Sequence, residues 1–299
     1  MKLSYTITQN EQYANLREVL KIQFQLSDRL LLKLKRAGKI FVNSVASPMH
    51  TLVKPNDHIE IVIDFQEDNS NIPATKMDLN ILYEDDAYLV VDKPAGIPVH
   101  PSMDHYEDSL SSGIKYYFDS IGLHKKIRPV NRIDKDTSGI VIFAKNEYIQ
   151  ECFVRQMKLH TFEKEYIAIC DGILKEKYGT ICAPIARKGN SIIERCIHAD
   201  GDKAVTHYEV LREIITDTFS YSILKCKLET GRTHQIRVHL QHIGHPLLGD
   251  TLYGTTSPLI KRQALHAYKV HFIHPITKLQ VNYVAPLPSD IQELSKTTQ

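Results

Sequence analysis

Asn131-Arg132-Ile133-Asp134-Lys135-Asp136-Thr137-Ser138-Gly139-Ile140-Val141-Ile142-Phe143-Ala144-Lys145 is the stretch on which the reading of this chain turns. Residues 140–144 form a short apolar run, β-branched and aromatic, of the kind that makes a buried strand, and Gly139 marks the bend that feeds it. Polar chemistry therefore sits at the mouth of a core strand. Arg132 and Asp134 are two apart, so an extended segment would project a guanidinium and a carboxylate to the same side at one sheet edge. The competing reading is structural: Asp134, Asp136, Thr137 and Ser138 are all turn formers that satisfy their own backbone, which leaves Arg132 as a solvated charge.

Working outward, Ile81-Leu-Tyr-Glu-Asp-Asp-Ala-Tyr-Leu-Val-Val-Asp-Lys-Pro-Ala-Gly96 predicts a strand from Tyr88 to Val91 that runs into a turn with Pro at its favoured second position. On the other side, Asn146 can cap a helix through Leu159, with Ile149, Phe153 and Met157 four apart on a core face. Lys164-Glu-Tyr-Ile-Ala-Ile169 reads as a strand with Lys164, Tyr166 and Ala168 on one side of the pleat. Residues 183–210, which include Arg187, Lys188, Arg195 and Lys203 and have Gly189 and Gly201 as punctuation between strand-like runs, predict a protruding basic hairpin. In Glu229-Thr-Gly-Arg-Thr-His-Gln-Ile-Arg-Val-His-Leu-Gln-His-Ile-Gly-His-Pro246, the spacing of Ile236, Leu240 and Ile243 predicts a helix. Thr233 is its candidate cap, and Gly244 with Pro246 ends it. His234, His239, His242 and His245 crowd this segment, but none belongs to a His-Glu-x-x-His pair and no cysteine is near, so no metal is expected.

Taken together, Arg-Ile-Asp-Lys-Asp-Thr-Ser-Gly closely resembles the signature of the RluA-type pseudouridine synthases, and two further strings agree with it. The block from Ile81 through His100-Pro101 is similar to the family's first motif, and Gly-Arg-Thr-His-Gln-Ile-Arg to its third. The resemblance, which runs from about Leu16 to Pro288, implies that Asp134 is the catalytic carboxylate and that Tyr166 stacks on the target uracil. It also implies that Arg237 pairs with Asp134, and that Arg132 fills the space left by an everted base and meets phosphate. Arg232 is placed with Arg132 among the residues expected to meet RNA. The family usually has His where this chain has Asn131. No metal or organic cofactor is implied.

Residues 1–65 carry nine Lys or Arg against six Asp or Glu. Ser27 as N-cap, Leu30, Leu31 and Leu34 at helical spacing and Gly38 as C-cap predict a short amphipathic helix whose charged face carries Arg29, Lys33, Lys35, Arg36 and, just past its end, Lys39. Such a cluster can follow a phosphate backbone. Strands are expected at Ile40 to Val42 and His58 to Ile63. The order of helix, helix, strand, strand resembles the small RNA-binding domain named after a ribosomal small-subunit protein. Residues 66–77 are polar and turn-rich, and predict a hinged linker between this module and a catalytic domain over 78–299. The expected fold class is α+β: a mixed, mostly antiparallel catalytic sheet preceded by a small α/β RNA-binding module.

Composition sets the outer bounds. The chain has 299 residues, 42% hydrophobic and 24% charged, which is enough for two domains. Its net charge is only +2, so any nucleic-acid surface is local. No run approaches the roughly 20 apolar residues of a membrane span, and the first residues lack a signal peptide's apolar core, so a cytoplasmic protein is expected. Cys152, Cys170, Cys182, Cys196 and Cys226 form no Cys-x-x-Cys pair and read as reduced core thiols. The chain is thus expected to be a monomeric isomerase acting on structured RNA, with ribosomal RNA favoured over transfer RNA. Its rivals are a non-catalytic RNA-binding or ribosome-assembly protein, which would not need Asp134, Tyr166 and Arg237 together, and a hydrolase, for which no Gly-x-Ser-x-Gly or metal-ligand string is present.

Overall fold

A computed structural model describes residues 1–101 and 105–296. In the first module, β1 (Lys2–Thr6), α1 (Leu16–Ile22), α2 (Asp28–Arg36), β2 (Ile40–Val42), β3 (Val45–Ala46) and β4 (His58–Val62) fold so that the strands form one sheet in the order β1-β4-β2-β3. The Ser27 hydroxyl accepts the Leu30 N–H at 3.2 Å and caps α2, and Gly38, at φ +62°, supplies the left-handed residue that ends it.

The second module holds β5 (Asn80–Glu84), β6 (Tyr88–Lys93), α3 (Leu110–Ser120), β7 (Ser138–Ala144), α4 (Glu147–Lys158), β8 (Glu163–Asp171), β9 (Tyr178–Cys182), β10 (Ile185–Arg187), β11 (Arg195–Ile197), β12 (Val205–Ile215), β13 (Ser220–Leu228), α5 (Gln235–His242), β14 (Leu265–Ile273), β15 (Gln280–Val284) and α6 (Ser289–Lys296). Eight strands run β5-β6-β7-β14-β8-β13-β12-β9, and β15 adds to β14. Among the described residues only β14 and β7 pair in parallel, at His266 with Ser138 and Ala267 with Gly139. The fold is α+β with a mostly antiparallel sheet, as the sequence predicts.

The unbroken apolar character of β7 follows from helices on both faces of the sheet. Ile140 and Ile142 pack with Ile149 and Phe153 of α4, whereas Val141 and Phe143 pack with Ile114 and Phe118 of α3. Gly139 is at φ +112°, and a side chain there would collide with the backbone of Ala267. Further along the sheet, Ala168, Leu224 and Cys226 carry Ile236 and Leu240 of α5, and Ile169 and Ile223 on the other face carry Ile291 and Leu294 of α6.

The two modules are docked, which corrects the expected hinge. One hydrophobic cluster runs from Leu30 and Leu34 of α2 to Phe153 of α4 and Ile142 of β7. Ser27 donates to Glu151 at 2.5 Å, and Lys33 bridges Glu147 at 2.6 Å and Glu67 at 3.3 Å. The polar segment between the modules is pinned as well: Glu67 takes a two-pronged bond from Arg128, both arms at 2.7 Å, and buried Asn69 accepts the Ile127 N–H at 3.2 Å. A polar composition reads as a flexible tether, but here the polar groups find charged and backbone partners on the domain they flank. Three thiols, Cys152, Cys170 and Cys226, are buried as expected; Cys182, at the end of edge strand β9, is exposed and Cys196 on β11 is half-buried.

Candidate active site

Asp134 stands on the loop that enters β7, and that loop is stapled from below. Lys93, fully buried at the end of β6, donates to the carbonyls of Pro94 and Ile97 at 2.7 Å and of Lys135 at 2.8 Å. The Lys135 carbonyl also accepts the Gly96 N–H at 3.0 Å. Burial pushes the Lys93 ammonium down to about 7, a cost that its three carbonyl partners offset in part. The Lys-Pro-Ala-Gly turn thus fixes the residue next to Asp134. On the other side, buried Asn131 donates to the Ile140 carbonyl at 2.9 Å and accepts the Ile142 N–H at 3.0 Å. Its amide serves β7 as a neighbouring strand's peptide would, in the position where the related family usually has His.

The carboxylate of Asp134 faces a guanidinium 103 residues away: Arg237 Nη1 donates to Oδ2 at 3.0 Å. Arg237 is itself clamped, with Nε and Nη2 donating to the two oxygens of Asp250 at 2.7 and 2.8 Å. Asp250 is 0% exposed and Arg237 8%, so this is a buried, geometrically matched pair. Burial alone would pull the guanidinium pKa down, but Asp250 and then Asp134 carry it above its ordinary value. Tyr253 stacks beneath, its ring 5.0 Å from the guanidinium carbon.

A second chain of bonds reaches the same carboxylate through His234. The backbone N–H of Arg195 donates to the Tyr253 hydroxyl at 2.7 Å, and that hydroxyl lies 2.8 Å from His234 Nδ1. In the tautomer in which the hydroxyl donates to Nδ1, the ring proton is on Nε2, which lies 3.9 Å from Asp134 Oδ2. Burial is the main force lowering the His234 pKa and keeping the ring neutral, against the opposing pull of Asp134.

Asp134 opens onto a cleft of about 1380 Å³ whose lining includes Arg132, Tyr166, Lys164, Arg232 and His100. Tyr166 projects from β8 with its phenol pKa raised, by burial first and by Asp134 second. It makes no hydrogen bond to a described protein group, so its polar edge is free for a ligand. Arg132 corrects the expected pairing. The chain turns at residues 135–136 and residues 132–134 are not strand, so strand alternation does not apply, and exposed Arg132 lies along the cleft wall without an ion pair to Asp134. Arg232 is partly tied down, donating to the Lys203 carbonyl at 3.1 Å and to Asp202 at 3.4 Å.

The helix expected after Glu229 is α5, but Thr233 does not cap it. His234 occupies that position in a left-handed conformation, at φ 58°, and Gln235 closes the turn by accepting the Arg232 N–H at 3.0 Å and the Thr230 hydroxyl at 2.7 Å. His239 is buried between Thr206 and the Ala183 carbonyl, each at 2.9 Å, and His245 meets the Asp171 carbonyl. The expected basic hairpin is β10 with β11; its inner side rests on Val238 of α5, so only its tip, with Ile192 84% exposed, projects. Arg29, Lys35 and Arg36 on α2 are exposed, whereas Lys33 is consumed by the docking contacts and Lys39 donates to the Asp64 carbonyl. Asp250 and Tyr253 lie in Leu247-Leu-Gly-Asp-Thr-Leu-Tyr, a string that continues the family resemblance but by itself assigns neither a role. The turn at Gly249, with its φ of +70° and tight fit against Arg262 and Ile260, folds the chain back onto Arg237.

No group of three or more His, Cys, Asp or Glu able to hold a metal occurs among the described residues, and none of their helices is long and apolar enough to cross a membrane. A family model described as RNA pseudouridylate synthase matches residues 87–242. Among curated relatives, a Bacillus subtilis (strain 168) protein called uncharacterized RNA pseudouridine synthase YhcT is 39% identical over 93% of this chain and 91% of its own. Ribosomal large subunit pseudouridine synthase D of Haemophilus influenzae is 37% identical over 80% of this chain and 76% of its own. The solved structure of human RNA pseudouridylate synthase domain containing 1 superposes with a TM-score of 0.59 at 27% identity, covering 72% of this chain and 86% of that one. With relatives matched over most of its length and a cleft floored by the Asp of its Arg-Ile-Asp string, this chain belongs to the RNA pseudouridylate synthase family.

Proposed function

We propose that the chain isomerises particular uridines of large-subunit ribosomal RNA, with Asp134 as the reacting carboxylate, Arg237 as its charge partner and Tyr166 as the platform for the everted uracil. The observation that carries this reading is the pair of bonds that fixes Arg237 on Asp250 and aims its remaining nitrogen at Asp134, the acid that opens into the cleft. The isomerisation breaks the bond from base to sugar, turns the uracil and rejoins it through a ring carbon. One carboxylate suffices, either as a nucleophile or as the base that takes a ribose proton. A guanidinium at 3.0 Å balances its negative charge inside a partly desolvated cleft. Tyr166 offers a ring face for stacking, worth about 1–3 kcal/mol per base.

Everting a base costs a few kcal/mol. Exposed Arg132, on the cleft wall, is suited to enter the vacated stack and meet phosphate, with Arg232 at the rim. Arg29, Lys35 and Arg36 supply the free positive charge of α2 for gripping structured RNA, while Lys33 and Lys39 shape that surface from within. Residues 1–65, 66–77 and 78–299 act as RNA-binding module, connector and catalytic domain of a monomer. Relatives named for the large ribosomal subunit support ribosomal over transfer RNA, and a ribosomal substrate goes with work in the cytoplasm. The test is to incubate purified protein with ribosomal and transfer RNA and map pseudouridine by carbodiimide-stop sequencing. Wild type is expected to modify ribosomal RNA and Asp134→Asn to modify none. Wild type that binds RNA but forms no pseudouridine would mark a non-catalytic binder, and stops confined to transfer RNA would move the substrate.

A further inference from the structure

Lys164 is the one cation of the cleft wall that lies on the same strand face as Tyr166, two residues away on β8. Its ammonium forms no ion pair and no hydrogen bond with any described residue. The acids around it are engaged elsewhere: Glu165 and Glu163 face Lys227 at 3.2 and 3.6 Å, and Glu229 faces His207 at 2.8 Å. The ammonium lies over Gly231, in the loop that leads into α5, where a first side-chain carbon would stand 3.2 Å from Nζ. Glycine there leaves the ammonium its place. Burial lowers the Lys164 pKa, so the charge is carried at a cost that no protein group offsets.

We propose that Lys164 is the seat for a backbone phosphate of the everted nucleotide, so that base and phosphate are gripped from one strand, by Tyr166 and Lys164 respectively. The inference rests on the reading of the cleft as an RNA site. A uracil carbonyl would be a weaker partner, because a desolvated ammonium without a counter-charge is matched by a full negative charge and a phosphodiester supplies one. Isolated from its own carboxylates, the lysine is held ready for an anion that arrives with the substrate.

The test compares wild type, Lys164→Gln and Lys164→Met for binding to ribosomal RNA fragments over a series of salt concentrations, in an Asp134→Asn background so that nothing turns over. Both variants are expected to bind about tenfold more weakly, with the slope of log affinity against log salt reduced by about 0.7–1, the loss of one phosphate contact. Their melting temperatures without RNA are expected to equal or exceed that of the Lys164 protein, because an uncompensated charge has been removed. An unchanged salt slope, or a clear drop in melting temperature, overturns the proposal and makes Lys164 a structural residue. Turnover of the Asp134 protein is followed separately: if it forms no pseudouridine, the enzymatic reading fails, while the salt slope still decides whether Lys164 meets phosphate.

Discussion

Arg237 approaches Asp134 with one nitrogen only, Nη1 at 3.0 Å, because Asp250 has taken the other two. A guanidinium offers its donors in a fixed plane, so a bidentate hold on one carboxylate dictates where the remaining donor points. The aim of Arg237 at Asp134 is thus set by Asp250, which never touches the cleft.

Removing Arg237 and removing its clamp therefore have different outcomes. Arg237→Met is expected to abolish pseudouridine formation while RNA affinity stays within about twofold, since Arg237 does not line the cleft. Asp250→Asn keeps the shape but releases the aim. It should lower the single-turnover rate by about 10²-fold, as small misplacements of catalytic groups do. It should also destabilise the fold by about 3 kcal/mol, because one partner of a buried pair is lost. Rapid-quench kinetics and urea unfolding read the two effects separately, and full turnover in either variant would remove the ion-pair argument.

Tyr253 is expected to set the tautomer of His234, whose Nδ1 lies 2.8 Å from its hydroxyl. The Arg195 N–H takes one lone pair of its oxygen, and with the hydroxyl donating to His234 Nδ1 the ring proton sits on Nε2, facing Asp134. Tyr253→Phe deletes that donor. The ¹⁵N shifts of the His234 ring are expected to change from a single Nε2–H tautomer to a mixture, and turnover to fall up to about tenfold, the worth of one neutral hydrogen bond. A single unchanged tautomer in the variant would show that something else orients the ring.

How much of this was legible from the residues depends on the kind of order involved. β7 announced itself because it is buried on both faces, and α2, α4 and α5 because their apolar residues keep helical spacing. β1 gives a weaker signal: Leu3 and Tyr5 alternate with Lys2, Ser4 and Thr6, but over five residues and with a face that is only half-buried. Asp134, Tyr166 and Arg237 sit in dense strings and could be named. Asp250 and Tyr253 gain their roles from a turn that folds back on α5, a relation that no periodicity encodes. Arg132 and Asp134 do not pair because strand alternation does not hold in a segment that turns, and the hinge is absent because the polar residues of the connector have partners across the modules.

Lys93 is expected to couple stability to the position of Asp134. Lys93→Met preserves the stem but leaves the carbonyls of Pro94 and Ile97 without their side-chain donor in a fully buried site and the Lys135 carbonyl with the Gly96 N–H alone. A loss of about 3 kcal/mol is expected from unsatisfied buried acceptors. Because one of those carbonyls belongs to the residue beside Asp134, the folded fraction at low temperature should also turn over more slowly. Turnover that stays normal in fully folded variant would separate the turn from the catalytic loop.

Glu67 makes the docking of the two modules sensitive to acid. Burial would raise its pKa, but the two bonds from Arg128 and the charge of Lys33 outweigh that and hold the carboxyl at about 2, against an ordinary 4.5. A depressed folded-state pKa means that the unfolded chain binds the extra proton. The stabilisation is then complete above about pH 4.5 and drains away as pH falls toward 2. The gap corresponds to about 3 kcal/mol, and with the side chain only 9% exposed it should resist screening by salt. Glu67→Gln removes the titration. Urea unfolding at pH 7 should show the variant less stable by about that amount, and the two proteins should converge as the pH is lowered from 4.5 to 2.5. A stability difference that stays constant across that window would mean that Glu67 holds the modules by shape and not by charge.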